Sequence, residues 1–242
     1  MKEINNTSTL DSHNDLMAKL PLYELNAGAI NLLTVIMANL YDKENSEVTF
    51  TANQLLMITG MKDKKRLYSY IEEIAQVLYN LDLKYVDEEP YKFSVGSRKV
   101  IKRLRLFIEY SFDREYRSDF ELTVKVNDSF LFFFNKLEKN FFNVAYNNVK
   151  LLTKAPSKIL FYNMMRYKGT GKIIMDEREF AILLGASETE LETRNYKRNI
   201  ETAIEEIETK MKTKINVSRK KTLDKNSILT IDFNPKDLKN KE

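Results

Sequence analysis

The amino-acid sequence predicts an α+β protein in which one arrangement of helices and strands occurs twice. The order helix, short strand, helix, helix, hairpin can be followed from residue 26 to residue 126, and it recurs from residue 156 to residue 233. At an offset of 125, four positions of similar character coincide: Phe50 with Met175, Leu55 with Phe180, Ile58 with Leu183 and Gly60 with Gly185. This order is typical of a winged helix, so we predict two tandem winged-helix domains joined by a short connection.

Helix caps and apolar spacing support the first unit. A helix from Asn26 to Tyr41 carries apolar residues on more than one side, and a short strand is expected at Val48–Phe50. Thr51 and Gly60 are typical of the start and the end of a second helix. A third helix is expected from about Asp63. Its apolar residues recur at alternating spacings of four and three: Leu67, Ile71, Ile74, Leu78 and Leu81.

Extended segments follow this helix and leave the wing of the first unit undecided. They are Lys84–Val86, Tyr91–Val95, Val100–Tyr110 and Phe120–Val126. The last is the clearest strand, because its apolar and polar residues alternate strictly. Three turns could form the wing: Asp87–Pro90, Gly96–Lys99 and Asp113–Asp119.

The second unit repeats the succession of elements. They are a helix at Pro156–Tyr167, a strand at Lys172–Met175, a helix between Asp176 and Gly185, a long helix at about Thr189–Lys212 and a hairpin of Lys214–Ser218 with Ser227–Phe233. The stretch from Lys168 to Lys172 contains two glycines, but it lacks the glycine and hydroxyl positions of a nucleotide-binding loop. We therefore expect a tight turn there.

The expected domain boundaries follow from these elements. Residues 1–14 are expected to be a flexible N-terminus, 15–140 and 141–235 the two winged-helix domains, and 236–242 a charged tail. The aromatic residues between 130 and 142 have few cations among them, so we interpret them as core between the domains rather than a stacking surface for single strands.

The composition excludes most catalytic and metal chemistry. The chain has no Cys and a single His, His13. Thiolate zinc sites, cysteine nucleophiles and clustered imidazole ligands are therefore excluded. We expect no cofactor, no metal and no enzymatic activity. Because there is no signal-peptide pattern and no run of roughly 18 apolar residues, we expect a soluble, cytoplasmic protein without a membrane partner.

The distribution of charge is more informative than its sum of +4, which comes from 39 bases and 35 acids. Residues 11–60 hold six acids and two bases, whereas residues 90–106 and 210–221 hold six bases each and no acid. A third basic cluster, residues 62–66, stands at the start of the third helix, the part of a helix-turn-helix that enters the major groove. The other two lie in or beside hairpins, where a wing would meet phosphates. We therefore predict double-stranded DNA as the partner.

The candidate DNA-binding residues are side chains on these elements that can reach phosphates or base edges. They are Lys62, Lys64, Lys65, Arg66, Ser69, Arg98, Lys99, Arg194, Asn195, Lys197, Arg198, Arg219, Lys220 and Lys221. The second long helix has its bases and amides in its first half and acids in its second half, so it would enter the groove by its N-terminal end. Alternatively, it is a surface helix with ion pairs such as Arg194–Glu190 and Arg198–Glu201, each worth about 0.2–0.5 kcal/mol.

Three segments of the second unit follow one another at the spacing of a known family: Ala155–Met165, Phe180–Gly185 and Tyr196–Ile207. Together they resemble the C-terminal domain of the initiator replication proteins of iteron-containing theta-replicating plasmids. In that family an aromatic–basic–basic motif leads the recognition helix and a Glu-Ile pair closes it. The sequence departs from the family at Asn199, where Arg is usual, and at Glu208, where Asn is frequent.

The resemblance implies a protein that binds direct repeats at a plasmid origin, bends or opens nearby DNA and recruits a host helicase or initiator. It also implies a homodimer, in equilibrium with the monomer, that forms through the N-terminal domain and often represses its own gene. The N-terminal domain would also contact the DNA backbone. Arg194, Asn195, Lys197 and Arg198 would meet the major groove of the repeat, and residues 219–221 would meet its backbone.

Two other interpretations stay open at the level of sequence. The chain could be a winged-helix transcriptional regulator or a phage replication protein, which would also bind DNA. It could instead be a protein–protein assembly module whose basic faces are only solvated. Salt-dependent DNA affinity separates the second interpretation from the others.

Overall fold

The computed structural model describes residues 9–13, 20–40, 46–90, 97–116, 119–133, 141–221 and 227–238. Its α-helices are α1 (Ala27–Leu40), α2 (Ala52–Thr59), α3 (Lys64–Tyr79), α4 (Tyr146–Leu151), α5 (Ala155–Arg166), α6 (Glu177–Leu183), α7 (Glu188–Thr193) and α8 (Tyr196–Met211). Its strands are β1 (Thr9–His13), β2 (Glu47–Thr51), β3 (Asp82–Pro90), β4 (Ser97–Arg105), β5 (Phe107–Tyr116), β6 (Asp119–Val126), β7 (Phe141–Ala145), β8 (Lys172–Asp176), β9 (Ile215–Lys221) and β10 (Ser227–Phe233).

The N-terminal domain is a winged helix with the caps that its sequence predicts. Helices α1, α2 and α3 pack together and against a three-stranded antiparallel sheet of order β2–β6–β5. Thr51 and Gln54 form a reciprocal capping box at the start of α2, and Gly60 ends this helix in a left-handed conformation with φ 71°. The predicted strand Phe120–Val126 is the central strand β6, and its alternate apolar side chains are buried.

Strand pairing decides which hairpin is the wing of this domain. β6 pairs with both β2 and β5, so the wing is the hairpin of β5 and β6 at the candidate turn Asp113–Asp119. The other two candidates, Asp87–Pro90 and Gly96–Lys99, lie in or beside β3 and β4, which pair with each other in a separate two-stranded ribbon. This ribbon is therefore an insertion between α3 and the wing. The predicted strand Val100–Tyr110 is accordingly divided between β4 and β5.

The C-terminal domain repeats the winged-helix order around a sheet of order β8–β10–β9. Asp176 caps α6 by accepting hydrogen bonds from the backbone N–H groups of Arg178 and Glu179, and Gly185 follows with φ 94°. The prediction of one helix over Thr189–Lys212 is wrong. Two helices, α7 and α8, occupy this span because Arg194 has a left-handed backbone with φ 60°, which no continuous right-handed helix accommodates.

The N-terminal segment is more ordered than its sequence indicates. The sequence predicts a flexible segment over residues 1–14, but Thr9–His13 form β1, which pairs antiparallel with β7. Neither β7 nor α4, which follows it directly, is predicted by the sequence pattern. Phe130 is buried, in agreement with an aromatic core, whereas the side chains of residues 132–142 lie outside those described.

The two domains share a continuous buried interface. Helix α1 of the first domain packs against α4 and α5, and the buried apolar residues of both domains form one cluster. Within it, the Thr34 hydroxyl on α1 lies 2.5 Å from the Tyr162 hydroxyl on α5. Burial raises the pKa of Tyr162, so this phenol stays protonated and able to donate. The domains are therefore joined by packing as well as by the chain connection.

Candidate nucleic-acid interface

The N-terminal end of α8 presents the residues that the sequence predicts for base recognition. Arg194 and Asn195 form the turn before the helix, and Lys197 and Arg198 lie in its first turn. Arg194, Asn195 and Arg198 are exposed and Lys197 is half-buried. The opposite face of α8 is fixed in the core by apolar side chains: Tyr196, Ile200, Ala203, Ile204, Ile207 and Met211. The helix therefore turns its basic end to solvent because its other face is buried.

A cleft of about 700 Å³ lies between this end of α8 and the wing formed by β9 and β10. Its lining residues are Asp176, Glu177, Arg178, Leu191, Arg194, Tyr196, Lys197, Arg219, Lys221 and Ser227. Five of them are Arg or Lys and three are Asp, Glu or Ser side chains that can accept hydrogen bonds. The excess of cations suits an anionic ligand such as a phosphate backbone. Arg178 and Tyr196 belong to this surface although the sequence did not predict them as site residues.

Arg219 has a buried partner in this cleft. Its Nε donates to Glu177 Oε1 at 2.6 Å, and its Nη2 lies 4.0 Å from Glu201 on α8. Glu177 is only 2% exposed, whereas the Arg219 side chain is 34% exposed, so only the carboxylate of the pair is removed from water. Arg219 ties the wing to α6 and α8, and its neighbours Lys220 and Lys221 are exposed. Burial, followed by the charge of Glu177, raises the pKa of the nearby Tyr196.

The acids near α8 have specific partners that fix the helix. Asn199 donates to Glu190 on α7 at 2.8 Å, and Glu208 accepts from the backbone N–H of Ile215 at 2.8 Å. Hydrogen bonds from Ser187 and Asn199 lower the pKa of Glu190. The two positions at which the sequence departs from the family pattern thus hold α8 to α7 and to β9.

Helix α3 of the first domain carries the second basic surface. Lys62, Lys64, Lys65 and Arg66 at its start are all exposed, as is Ser69 one turn further along. Asp63 caps the helix by accepting from the backbone N–H of Lys65 at 2.9 Å and lies 3.6 Å from Arg66. Because this pair is exposed, it leaves the positive character of the helix end largely intact. The cluster is therefore available to an anionic partner.

Arg98 and Lys99 lie in a different setting from the one that their sequence neighbourhood indicates. Both are in β4, where the antiparallel register places Glu89 opposite Arg98 and Glu88 opposite Lys99. The same register places Lys84 opposite Arg103. The backbone pairing thus brings acids of the preceding strand opposite Arg98 and Lys99, and the role of these two residues in DNA binding stays a prediction.

Within the described ranges, no group of three or more His, Asp or Glu side chains is arranged to hold a metal ion. No helix in the described part of the chain is long and apolar enough to cross a membrane. The candidate site consists of two exposed basic helix ends, one in each winged helix, together with the cleft beside α8.

Comparison with known proteins agrees with this architecture. The solved structure of Pi initiator protein in complex with iteron DNA matches with a TM-score of 0.66 and 13% identity, over 95% of this chain and 98% of that one. Domains 2 and 3 of RctB match with a TM-score of 0.52 and 11% identity, over 85% and 81%. A search of curated protein sequences finds no significant match. The family model described as "Initiator Replication protein, WH1" matches residues 9–165, well over half of the chain, and the chain therefore belongs to the family of initiator replication proteins.

Proposed function

We propose that this chain is a plasmid replication initiator that binds double-stranded direct repeats at an origin and catalyses no reaction itself. The observation that carries the proposal is the geometry of α8. Arg194, Lys197 and Arg198 project at its N-terminal end beside a cationic cleft, whereas Glu206 and Glu208 in its second half accept backbone hydrogen bonds. A helix end of this kind suits the major groove, where Arg and Lys recognise guanine.

The N-terminal domain supplies the second DNA contact in this proposal. The exposed bases at the start of α3 occupy the position in their winged helix that Arg194 to Arg198 occupy in the other. The similar fold of Pi initiator protein, whose structure contains iteron DNA, supports the same class of ligand. With two such helix ends, one chain would contact two segments of a repeat. Bending or opening of the adjacent DNA and recruitment of a host helicase or initiator complete the proposed role.

We also propose that the chain dimerises through the N-terminal domain, in equilibrium with the monomer, and that the dimer represses its own gene. β5 is an outer strand of the sheet β2–β6–β5, and Ile108 on it is 43% exposed. Outer strands pair readily with another chain. Light scattering of Ile108→Lys should show a shift towards monomer. An unchanged dimer population would place the interface elsewhere.

The DNA-binding proposal is tested with duplexes of the direct repeats that flank the gene. Replacing Lys197 and Arg198 together by Ala should weaken binding on the order of 100-fold, because two contacts to bases or phosphates are lost. Lys236→Ala, at an exposed site after the last strand, is the matched control. Normal binding by the double variant would refute the assignment of α8. Affinity of the wild type that does not fall with salt would favour the assembly module.

Replication itself is tested in cells. A plasmid that carries only the gene and its flanking repeats should replicate with the wild-type chain and fail with the double variant. If the repeats are bound but never support replication, the regulator interpretation is favoured over the initiator.

A further inference from the structure

Lys158 is a fully buried lysine at the boundary between the two domains. It lies on α5 of the C-terminal domain and has 0% exposure. Its Nζ donates to Asn31 Oδ1 on α1 of the N-terminal domain at 2.7 Å and to the backbone carbonyl of Val149 at the end of α4. An ammonium group is costly to remove from water unless its donors are satisfied. The buried ammonium group of Lys158 therefore tolerates little change in the position of the Asn31 side chain.

The hydrogen-bond chain continues from Asn31 to the helix-turn-helix of the first domain. Asn31 Nδ2 donates to the backbone carbonyl of Ile58 at 3.3 Å, and the Tyr146 hydroxyl donates to the same carbonyl at 3.1 Å. This carbonyl belongs to the last turn of α2, where the helix itself leaves acceptors unpaired. The turn at Gly60 then leads directly into α3. Lys158 is thus linked to the element that positions the basic end of α3.

The start of α5, about one turn before Lys158, is linked to the recognition helix of the second domain. Glu206 on α8 accepts from the backbone N–H groups of Thr153 and Lys154 at 2.7 and 3.3 Å, and from the Thr153 hydroxyl at 2.6 Å. These groups immediately precede α5 and would otherwise be unpaired at its start. Burial lowers the pKa of Lys158 to about 8, and the negative charge of Glu206 opposes this shift. One helix, α5, therefore connects α8 with the helix-turn-helix that contains α3.

Lys158 also borders an open pocket of about 380 Å³, lined by residues of both domains that include Gly28, Tyr70 and Thr153. Apolar contacts tolerate small shifts more readily than a buried ammonium group, which needs its acceptors within about 3 Å. The polar contacts of Lys158 therefore add a directional restraint to the apolar packing that joins the two domains.

We propose that Lys158 is a positioning residue that fixes the angle between the two DNA-contacting helices and thereby sets the spacing of the two DNA segments that one chain can bind. This inference rests on the proposed function for its DNA consequence, but the fixed angle can be measured without DNA. Lys158 touches no DNA in this proposal. It acts through Asn31 on one side and through α5 and Glu206 on the other.

The first test measures the angle directly in the full chain. Because the chain has no Cys, Glu72→Cys on α3 and Glu205→Cys on α8 would provide the only two spin-label sites. Pulsed electron–electron double resonance measures the distance between the two labels. The distribution should be narrow in the doubly labelled parent chain and broader when Lys158→Met or Asn31→Ala is added. Lys236→Met, an exposed lysine outside this hydrogen-bond chain, is the control and should keep the narrow distribution. If Lys158→Met does not fold, Asn31→Ala provides a milder change. A narrow distance distribution in a folded variant overturns the proposal.

The second test measures the DNA consequence. One or two base pairs are inserted between the two halves of the repeat, and each base pair rotates one half by about 35°. The parent chain should lose about 10-fold or more in affinity for the lengthened repeats, whereas Lys158→Met and Asn31→Ala should lose less than about 3-fold. An equal spacing penalty in parent and variants overturns the proposal. If the parent binds no repeat at all, the proposed function fails, and the spin-label distances still decide the role of Lys158.

Discussion

Arg194 offers a test of whether backbone strain is retained for DNA binding. It stands between α7 and α8 with φ 60° and ψ 17°, at the position after a helix where glycine is usual. For an L-residue this conformation costs about 1–2 kcal/mol, and glycine avoids that cost but loses about 0.5–1 kcal/mol more entropy on folding. Arg194→Gly should therefore raise the free energy of unfolding by about 0.5–1 kcal/mol, while Arg194→Ala, which keeps the strain, should leave it unchanged or lower it.

The same substitution should weaken DNA binding because a cation is removed from the cleft. Both variants are expected to lose about 1–3 kcal/mol of binding free energy, and the slope of log K against log salt should fall by about one. Urea denaturation gives the first quantity and fluorescence anisotropy at several salt concentrations gives the second. If Arg194→Gly destabilises the protein as much as Arg194→Ala does, the turn is not strained. If either variant binds the repeats with wild-type affinity, Arg194 does not contact DNA.

Three further predictions follow from buried groups. Glu177→Ala removes the buried carboxylate that pairs with Arg219 and should lower the free energy of unfolding by about 1 kcal/mol in urea, because the guanidinium that is left is partly exposed to solvent. An unchanged free energy of unfolding would show that the pair does not stabilise the fold. Because the pKa of Lys158 is lowered to about 8, the unfolded chain holds a proton between pH 8 and 10 that the folded chain has released, so stability should rise with pH by at most about 1.4 kcal/mol per unit. The rise should vanish in Lys158→Met, and equal slopes would contradict the shift. A Cβ at Gly28 would overlap the Tyr70 hydroxyl oxygen, so Gly28→Ala should lower the melting temperature, and adding Tyr70→Phe should restore part of the loss.

Local signals in the sequence were sufficient for the elements that depend on local chemistry. Thr51 and Asp176 act as caps because their side chains reach backbone N–H groups two or three residues away, and Gly60 and Gly185 adopt the positive φ that ends a helix. The break at Arg194 has no such signal, since arginine is a good helix former and the apolar spacing continues on both sides.

Long-range pairing explains the other differences. The pairing of β1 with β7 joins segments more than 120 residues apart along the chain, and nothing in either segment identifies the partner. The sequence indicates extended segments both in the ribbon of β3 and β4 and in the wing of β5 and β6, so only the pairing of β6 with β2 shows which hairpin is the wing. The polar contacts of Lys158 are equally invisible in the sequence, where it is one lysine of a helix.

The acids of the C-terminal domain explain how a chain with a net charge of only +4 can present a basic DNA surface. Glu177 is buried against Arg219, and Glu206 and Glu208 accept backbone hydrogen bonds from residues that precede α5 and begin β9. A carboxylate that accepts hydrogen bonds from donors within the protein contributes to the position of α8. The same acids that lower the net charge therefore fix the orientation in which Arg198 and its basic neighbours reach solvent. Neutralising Glu206 as Gln should accordingly weaken, not strengthen, binding to the repeats, although it makes the protein more positive. Stronger binding by Glu206→Gln would show that Glu206 affects DNA binding only by repelling the phosphates.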